Sequence, residues 1–297
     1  MPVNAIKLGF VGLNVVKFDA TVGHYAEFIG LARSAASNDA VWLACGNEFH
    51  ALSLHRAGRS GYRYVGLQVA GEGPLDDVVA SLRAEGIAAA IKSDLLPGVG
   101  SLVEITDPDG YVIYLYRESA PAPQRFETRG AILPDKLGHV ALFSQDAHRA
   151  LNFYTQNLGF RWSDWLLDIF VFMRCNADHH VLNFLKPPKP REGLFHVAFE
   201  LRDWAHMGRA CDALAIRGIP LVWGPGRHGT GHNLFTYHRD PDGNIVELFA
   251  DLDRMSNEAL GCFDPRPYHR DNPQRPKVWG FEEAHLWGPL PPADLWD

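Results

Sequence analysis

The chain has 297 residues, 46% of them hydrophobic and 21% charged, enough to bury a large core as one big domain or two of ordinary size. Its formal net charge of −7 argues against nucleic acid or an anionic membrane as the main partner, and no stretch approaches the length of a transmembrane helix. The four cysteines, Cys45, Cys175, Cys211 and Cys262, form no C-x-x-C pair, which reads as reduced thiols in a cytoplasmic protein rather than a disulfide frame or a zinc–thiolate site.

In chain order, residues 5–16 are apolar with strand character, and 24–31 suit an amphipathic helix. Residues 40–45 and 48–55 read as two strands around a Gly46-Asn47 turn, and 62–70 as another. In 75–85 the apolar residues Leu75, Val78, Val79 and Leu82 have helical spacing, and Gly86 ends it. Strands at 101–105 and 111–116 flank Asp107-Pro108-Asp109-Gly110. The Pro-containing stretch 119–130 reads as a linker, with a domain boundary near residue 125 separating 1–125 from 126–297.

The order then recurs. A strand at 137–143 precedes a helix at 147–158, with Leu151, Tyr154 and Leu158 on one face and Gly159 as its stop. Strands at 169–174, 180–185 and 194–201, a helix at 204–216, and strands at 234–238 and 245–250 complete it. This is an internal repeat. Lys7-Leu8-Gly9-Phe10 matches Lys136-Leu137-Gly138-His139, and the Asp-Pro-Asp-Gly turn at 107–110 matches that at 240–243. In that register Phe10 stands for His139, Tyr114 for Glu247 and Gly66 for His196. Both copies keep a scaffold, but the second alone keeps the polar set. Packing gives no reason to exchange Phe for His and Tyr for Glu at matching places.

Nine of the 14 histidines lie in 139–238. Of these His148, His206 and His238 are expected to be surface or core residues. Strand alternation in 194–201 puts Phe195, Val197, Phe199 and Leu201 toward the helices, and His196, Ala198 and Glu200 toward a cavity. A hairpin centred on Asp242 pairs Tyr237 with Glu247, about 5 Å apart at Cβ. Two histidines and one carboxylate on separate strands suit Fe(II) or Mn(II) held on one face, with zinc as the competing metal; scattered structural histidines are the alternative.

The Gly-His-Val at 138–140, the Phe-His-Val-Ala-Phe-Glu at 195–200, the Gly-Pro-Gly-Arg-His-Gly at 224–229 and the Asp-Pro-Asp-Gly-Asn-Ile-Val-Glu-Leu-Phe at 240–249 resemble the vicinal oxygen chelate superfamily. More narrowly, they resemble two-domain type I extradiol catechol dioxygenases. The resemblance runs to about Met255 and implies an α+β fold of tandem βαβββ modules in two incomplete barrel-like sheets, with the metal in the C-terminal one. It implies His139, His196 and Glu247 as ligands of Fe(II), with Mn(II) as the alternative metal. It implies His180 as an acid–base histidine, Tyr237 as a catalytic hydrogen-bonding tyrosine and His228 as a substrate-binding histidine. Ala141 stands where some members carry Asn, and Phe195 where some carry His. The implied activity is extradiol ring cleavage of a catechol by dioxygen to a 2-hydroxymuconic semialdehyde-type product. The expected partners are a small aromatic diol, dioxygen and, in a homo-oligomer, further copies of the chain. A glyoxalase-like or hydroxyphenylpyruvate-dioxygenase-like enzyme and a bleomycin-resistance-like binder remain the rivals. Beyond Met255, the Pro- and aromatic-rich tail, with Trp279, Phe281, Trp287 and Trp296, has too little apolar sequence for its own core and is expected to wrap onto the second module or a neighbouring subunit.

Overall fold

The computed structural model describes residues 3–122 and 130–296; the boundary near residue 125 and the Trp296 side chain lie outside what is described. One unit recurs: a strand, a helix, then three strands. The first unit is β1 (Ala5–Val15), α1 (Phe18–Gly23, continued as a π-helical stretch over His24–Ile29), β2 (Ala32–Ala36), β3 (Ala40–Ala44) and β4 (Leu52–Arg56). The second is β5 (Gly61–Val69), α2 (Asp76–Ala84), β6 (Ala90–Leu96), β7 (Val99–Thr106) and β8 (Val112–Tyr116). The third is β9 (Lys136–Phe143), α3 (Ala147–Leu158), β10 (Arg161–Leu166), β11 (Phe170–Arg174) and β12 (Leu182–Leu185). The fourth is β13 (Leu194–Glu200), α4 (Trp204–Ile216), β14 (Leu221–Arg227), β15 (Leu234–Arg239) and β16 (Ile245–Ala250). A short β17 (Val278–Trp279) comes from the tail.

Units pair within two sheets, ordered β2-β3-β4-β1-β5-β8-β7-β6 and β14-β15-β16-β13-β9-β12-β11-β10-β17. The last strand of each unit lies parallel to its first, and the two first strands, β1 with β5 and β9 with β13, meet antiparallel at the sheet centre. Each sheet curls, with helices on its outer face. The main apolar cluster lies under the helices and between the halves, while smaller clusters fill the two concave faces.

The strands at 32–36, 90–96, 161–166 and 221–227 were not expected from sequence. They are β2, β6, β10 and β14, the second strand of every unit and the outermost of its four. β2, β6 and β14 end their sheets with one hydrogen-bonded neighbour each, where polar residues and proline are tolerated, while β10 is covered by β17. β6 exposes every residue except Leu96, and β14 carries Gly224-Pro225-Gly226. The first helix also starts earlier than the expected 24–31, at Phe18.

The repeated Asp-Pro-Asp-Gly turns clasp the two halves. Asp242 accepts hydrogen bonds from the Val16 and Lys17 backbone N–H groups (2.9 and 3.0 Å), Thr21 Oγ1 (2.6 Å) and Ser60 Oγ (2.8 Å). Reciprocally, Asp109 accepts from Ser144 Oγ and Arg149 Nη2, both at 2.6 Å. Behind them Tyr25 donates to Asp240 at 3.0 Å and Tyr154 to Asp107 at 3.1 Å. Each turn thus docks at the start of the other half's first helix. Asp242→Ala strips four donors of their acceptor at once and is expected to cost about 2–3 kcal/mol, read as a lower melting temperature in thermal denaturation; an unchanged midpoint would show that the clasp adds nothing to stability.

Candidate metal centre

Three adjacent central strands assemble the site. Ala198 on β13 is paired with His139 on β9 and with Glu247 on β16. His196, two residues before Ala198, shares its face by strand alternation. His139 Nε2 therefore lies 3.1 Å from His196 Nε2 and 2.8 Å from Glu247 Oε2, and His196 Nε2 lies 3.2 Å from that same oxygen. All three side chains are buried. Burial lowers both imidazoles to about 3, so they are neutral near pH 7 and their nitrogen lone pairs are available. Two neutral imidazole nitrogens facing one another, with a carboxylate oxygen against both, offer more lone pairs than protons to fill them. A divalent cation satisfies all three donors together, and the donor set fits one.

Surrounding groups fix the carboxylate. The expected cross-strand pair of Tyr237 and Glu247 is present, and the Tyr237 hydroxyl donates to Glu247 Oε2 at 3.1 Å. Asn233 Nδ2 donates to Oε1 at 3.0 Å. Burial and the adjacent Glu247 charge raise the Tyr237 hydroxyl well above its ordinary value, so it stays a donor. His228 is stacked on Phe235 with ring centroids 3.7 Å apart. Its Nδ1–H donates to the Ala284 carbonyl at 2.6 Å, so Nε2 carries the lone pair; it lies 3.3 Å from the Tyr237 oxygen, whose one proton goes to Glu247. Burial lowers His228 to about 4.

His180 packs beside the ligand group, its ring centroid 4.3 Å from that of His139. Burial, followed by the neighbouring His139, His179, His196 and His228, holds it well below the ordinary histidine value. A cavity opens over these groups. His139, His180, His196, His228, Tyr237 and Glu247 all line it, and Phe170, Phe172, Phe195 and Trp223 wall it. Among the described residues no lysine or arginine lines it. Phe195 was expected to face the helices. A bulge between Leu194 and His196 breaks the alternation there, and Phe195 turns to the cavity.

The N-terminal sheet has the same frame filled with rings. Phe10 occupies the place of His139 and Tyr114 that of Glu247, as the repeat indicates. Gly66 is not the counterpart of His196. It is paired with Phe10 and Tyr114 as Ala198 is with His139 and Glu247, and a Cβ there would meet the Phe10 ring at 2.2 Å. Tyr64, opposite Gly12, corresponds to His196, opposite Ala141. The loops before β5 and β13 differ in length, so one fixed offset misaligns these strands. Phe10, Tyr64 and Tyr114 pack together where the C-terminal half gathers its three donors.

Sequence reasoning did not single out Asn233, His179, Asp164 or the tail's part in the site. His179 Nδ1 lies 2.9 Å from His180 Nδ1, and His179 Nε2 lies 3.0 Å from Asp164 Oδ2. The adjacent histidine pair was the available signal. The tail does wrap onto the C-terminal half: β17 extends its sheet beside β10, Trp279 is buried, and Ala284 and Pro291 line the cavity, while Trp287 stays exposed. A second group of donors anchors it. Asp253 takes His232 Nδ1 on one oxygen at 2.7 Å and His269 Nε2 on the other at 2.8 Å. Of the histidines expected to be structural, His148 is exposed, His206 donates to the Ile132 carbonyl, and His238 is buried against His24. No helix of the described residues is long and apolar enough to cross a membrane.

Residues 136–248 match the Glyoxalase/Bleomycin resistance protein/Dioxygenase superfamily. The chain is 34% identical over 202 residues to metapyrocatechase 2 of Cupriavidus necator, an alignment covering 61% of this chain and 62% of that one. It is 28% identical over 259 residues to 3-methylcatechol 2,3-dioxygenase of Pseudomonas putida, covering 81% and 88%. The crystal structure of the Mn(II)-bound glyoxalase from Novosphingobium aromaticivorans superposes with a TM-score of 0.84 at 28% identity, over 99% of this chain and 95% of that one.

Proposed function

We propose that this chain, whose residues 136–248 form a domain of the Glyoxalase/Bleomycin resistance protein/Dioxygenase superfamily, is an extradiol ring-cleaving dioxygenase. It opens a catechol with dioxygen beside the diol and gives a 2-hydroxymuconic semialdehyde-type product. The observation that carries this reading is the convergence of His139, His196 and Glu247 on the floor of an aromatic-walled cavity. Fe(II) is the metal we assign to them, and Mn(II) is the alternative raised by the Novosphingobium structure. A metal held by His139, His196 and Glu247 would supply Lewis acidity and would bring diol and dioxygen together, the entropic part of the catalysis.

The remaining work belongs to side chains. Phe170, Phe172, Phe195 and Trp223 seat the ring and exclude water. Tyr237 and Asn233 hold the Glu247 carboxylate in one orientation. His180, neutral because it is buried, takes a proton from a substrate hydroxyl and returns it later. His228, with Nδ1–H tied to Ala284, presents Nε2 as an acceptor beside Tyr237. Protein loaded with Fe(II) without air and then aerated is expected to turn a catechol yellow, consuming one dioxygen per ring. Full iron occupancy with no ring opening on any catechol would sink the proposal.

The cavity wall selects the substrate class. Among the described residues no lysine or arginine lines it, so a carboxylate on the ring, away from the diol, would be buried without a cationic side chain, at a cost of several kcal/mol. Unsubstituted, alkyl- or aryl-catechols are expected to exceed carboxylate-bearing ones in kcat/KM by about 100-fold or more, that cost corresponding to at least two powers of ten. Steady-state kinetics across such a panel checks it, and equal values refute it. A metal-dependent isomerase is the second reading, favoured by the likeness to the Mn(II)-bound glyoxalase. An oxygen electrode separates the two, because an isomerase consumes no dioxygen.

A further inference from the structure

Behind His180 runs a row of buried groups that do not line the cavity. His180 Nδ1 is 2.9 Å from His179 Nδ1, and His179 Nε2 is 3.0 Å from Asp164 Oδ2. His179, His180 and Asp164 are all buried, at 0%, 3% and 1% exposure. Asp164 is itself held: its Oδ2 accepts from Trp279 Nε1 at 2.6 Å and its Oδ1 from the Lys277 backbone N–H at 2.8 Å. Both donors lie in the tail, on and beside β17. The Phe172 and Phe263 rings flank the histidines.

The bonding order follows from the acceptor at the end. A carboxylate only accepts, so His179 must donate to Asp164 from Nε2. In neutral His179 the other nitrogen, Nδ1, is then an acceptor. The atom facing it, His180 Nδ1, must carry a proton to donate. His180 in turn keeps its lone pair on Nε2, the ring edge away from His179. A histidine's working nitrogen is set by the bond its other nitrogen makes.

We propose that Asp164 and His179 are positioning residues for His180, a hydrogen-bonded row that fixes its ring and holds it as the Nδ1–H tautomer with Nε2 free to accept a substrate proton. The inference rests on the ring-cleavage reading for what that proton is. A proton leaving the substrate hydroxyl lands on His180 Nε2, and the positive charge formed there is balanced through His179 by the Asp164 carboxylate. The tail, through Trp279 and the Lys277 backbone, keeps Asp164 in line, and so contributes to the site from outside the His139, His196 and Glu247 group.

Two measurements test this, one of them independent of turnover. In full-length protein carrying Zn(II), nitrogen-15 histidine NMR is expected to find His180 protonated on Nδ1 and bare on Nε2. His179→Leu should abolish that preference, and His179→Gln, which can still accept from His180 and donate to Asp164, should retain it. With Fe(II) loaded, His179→Leu is expected to lower kcat by about 10- to 100-fold, a part of the general-base contribution, with KM and metal content little changed and His179→Gln partly rescued. Finding the wild-type proton on His180 Nε2, or unchanged kcat in folded, iron-loaded His179→Leu, overturns the proposal. If wild type opens no catechol, the ring-cleavage reading fails, and the NMR result still decides the row.

Discussion

Glu247→Ala is expected to give a folded protein that holds no tightly bound divalent cation and has no ring-opening activity. Glu247 supplies the anionic donor of the group; the other two, His139 and His196, are neutral imidazoles. Disturbing a group that merely orients a ligand costs roughly 10- to 100-fold in metal affinity, and removing a ligand outright should exceed that range. The fold should survive because Glu247 sits on β16 between β13 and β15, whose ladders are made by backbone groups. The lost hydrogen bonds from Tyr237 and Asn233 are offset in part by no longer burying a carboxylate. Glu247→Gln separates charge from shape: its single carbonyl oxygen can still accept from one of Tyr237 and Asn233, yet it should bind metal far less tightly than the native side chain. Metal content after dialysis and thermal midpoints with and without added Fe(II) give the result. A Glu247→Ala protein that retains its metal as wild type does would remove Glu247 from the site.

The asymmetry that pointed to this residue was legible without coordinates, and so were most strands, because a central strand must carry an apolar face that a duplicated scaffold repeats. The outer strand of each unit was not. β6 is solvated and β14 is interrupted by Gly-Pro-Gly, so neither displays a period. The hairpin pairing of Tyr237 with Glu247 could be read from the distance of each to Asp242, since a tight turn dictates register locally. The pairing of Tyr64 with Gly12 could not, because it depends on the length of a loop. The row behind His180 was equally hidden. Asp164 lies on an outer strand and Trp279 in the tail, and nothing local ties either to a histidine pair between them. The repeated Asp-Pro-Asp-Gly looked like turn chemistry alone, and its second use as a clasp needs the other half of the chain to be seen.

The N-terminal half supplies the control for the second large effect. His50 stands two residues before β4 as His180 does before β12, and its ring lies 4.4 Å from Phe10, nearly the 4.3 Å that separates His180 from His139. One frame therefore accepts an aromatic pair at this place whether or not a metal ligand is one of its members. His180→Phe should fold and, because the donors that converge are His139, His196 and Glu247, should keep its metal. What it loses is the nitrogen that exchanges a proton with the substrate. Positioned general acid–base groups contribute about 10²- to 10⁴-fold, and kcat is expected to fall within that range while metal content stays at the wild-type level. Comparing His180→Phe with the double variant His179→Leu/His180→Phe adds a check on the route of the effect. If His179 acts only through His180, the second substitution costs nothing further in kcat. Loss of iron from His180→Phe would instead make His180 a ligand, and undiminished turnover would leave the proton transfer to His228 or Tyr237.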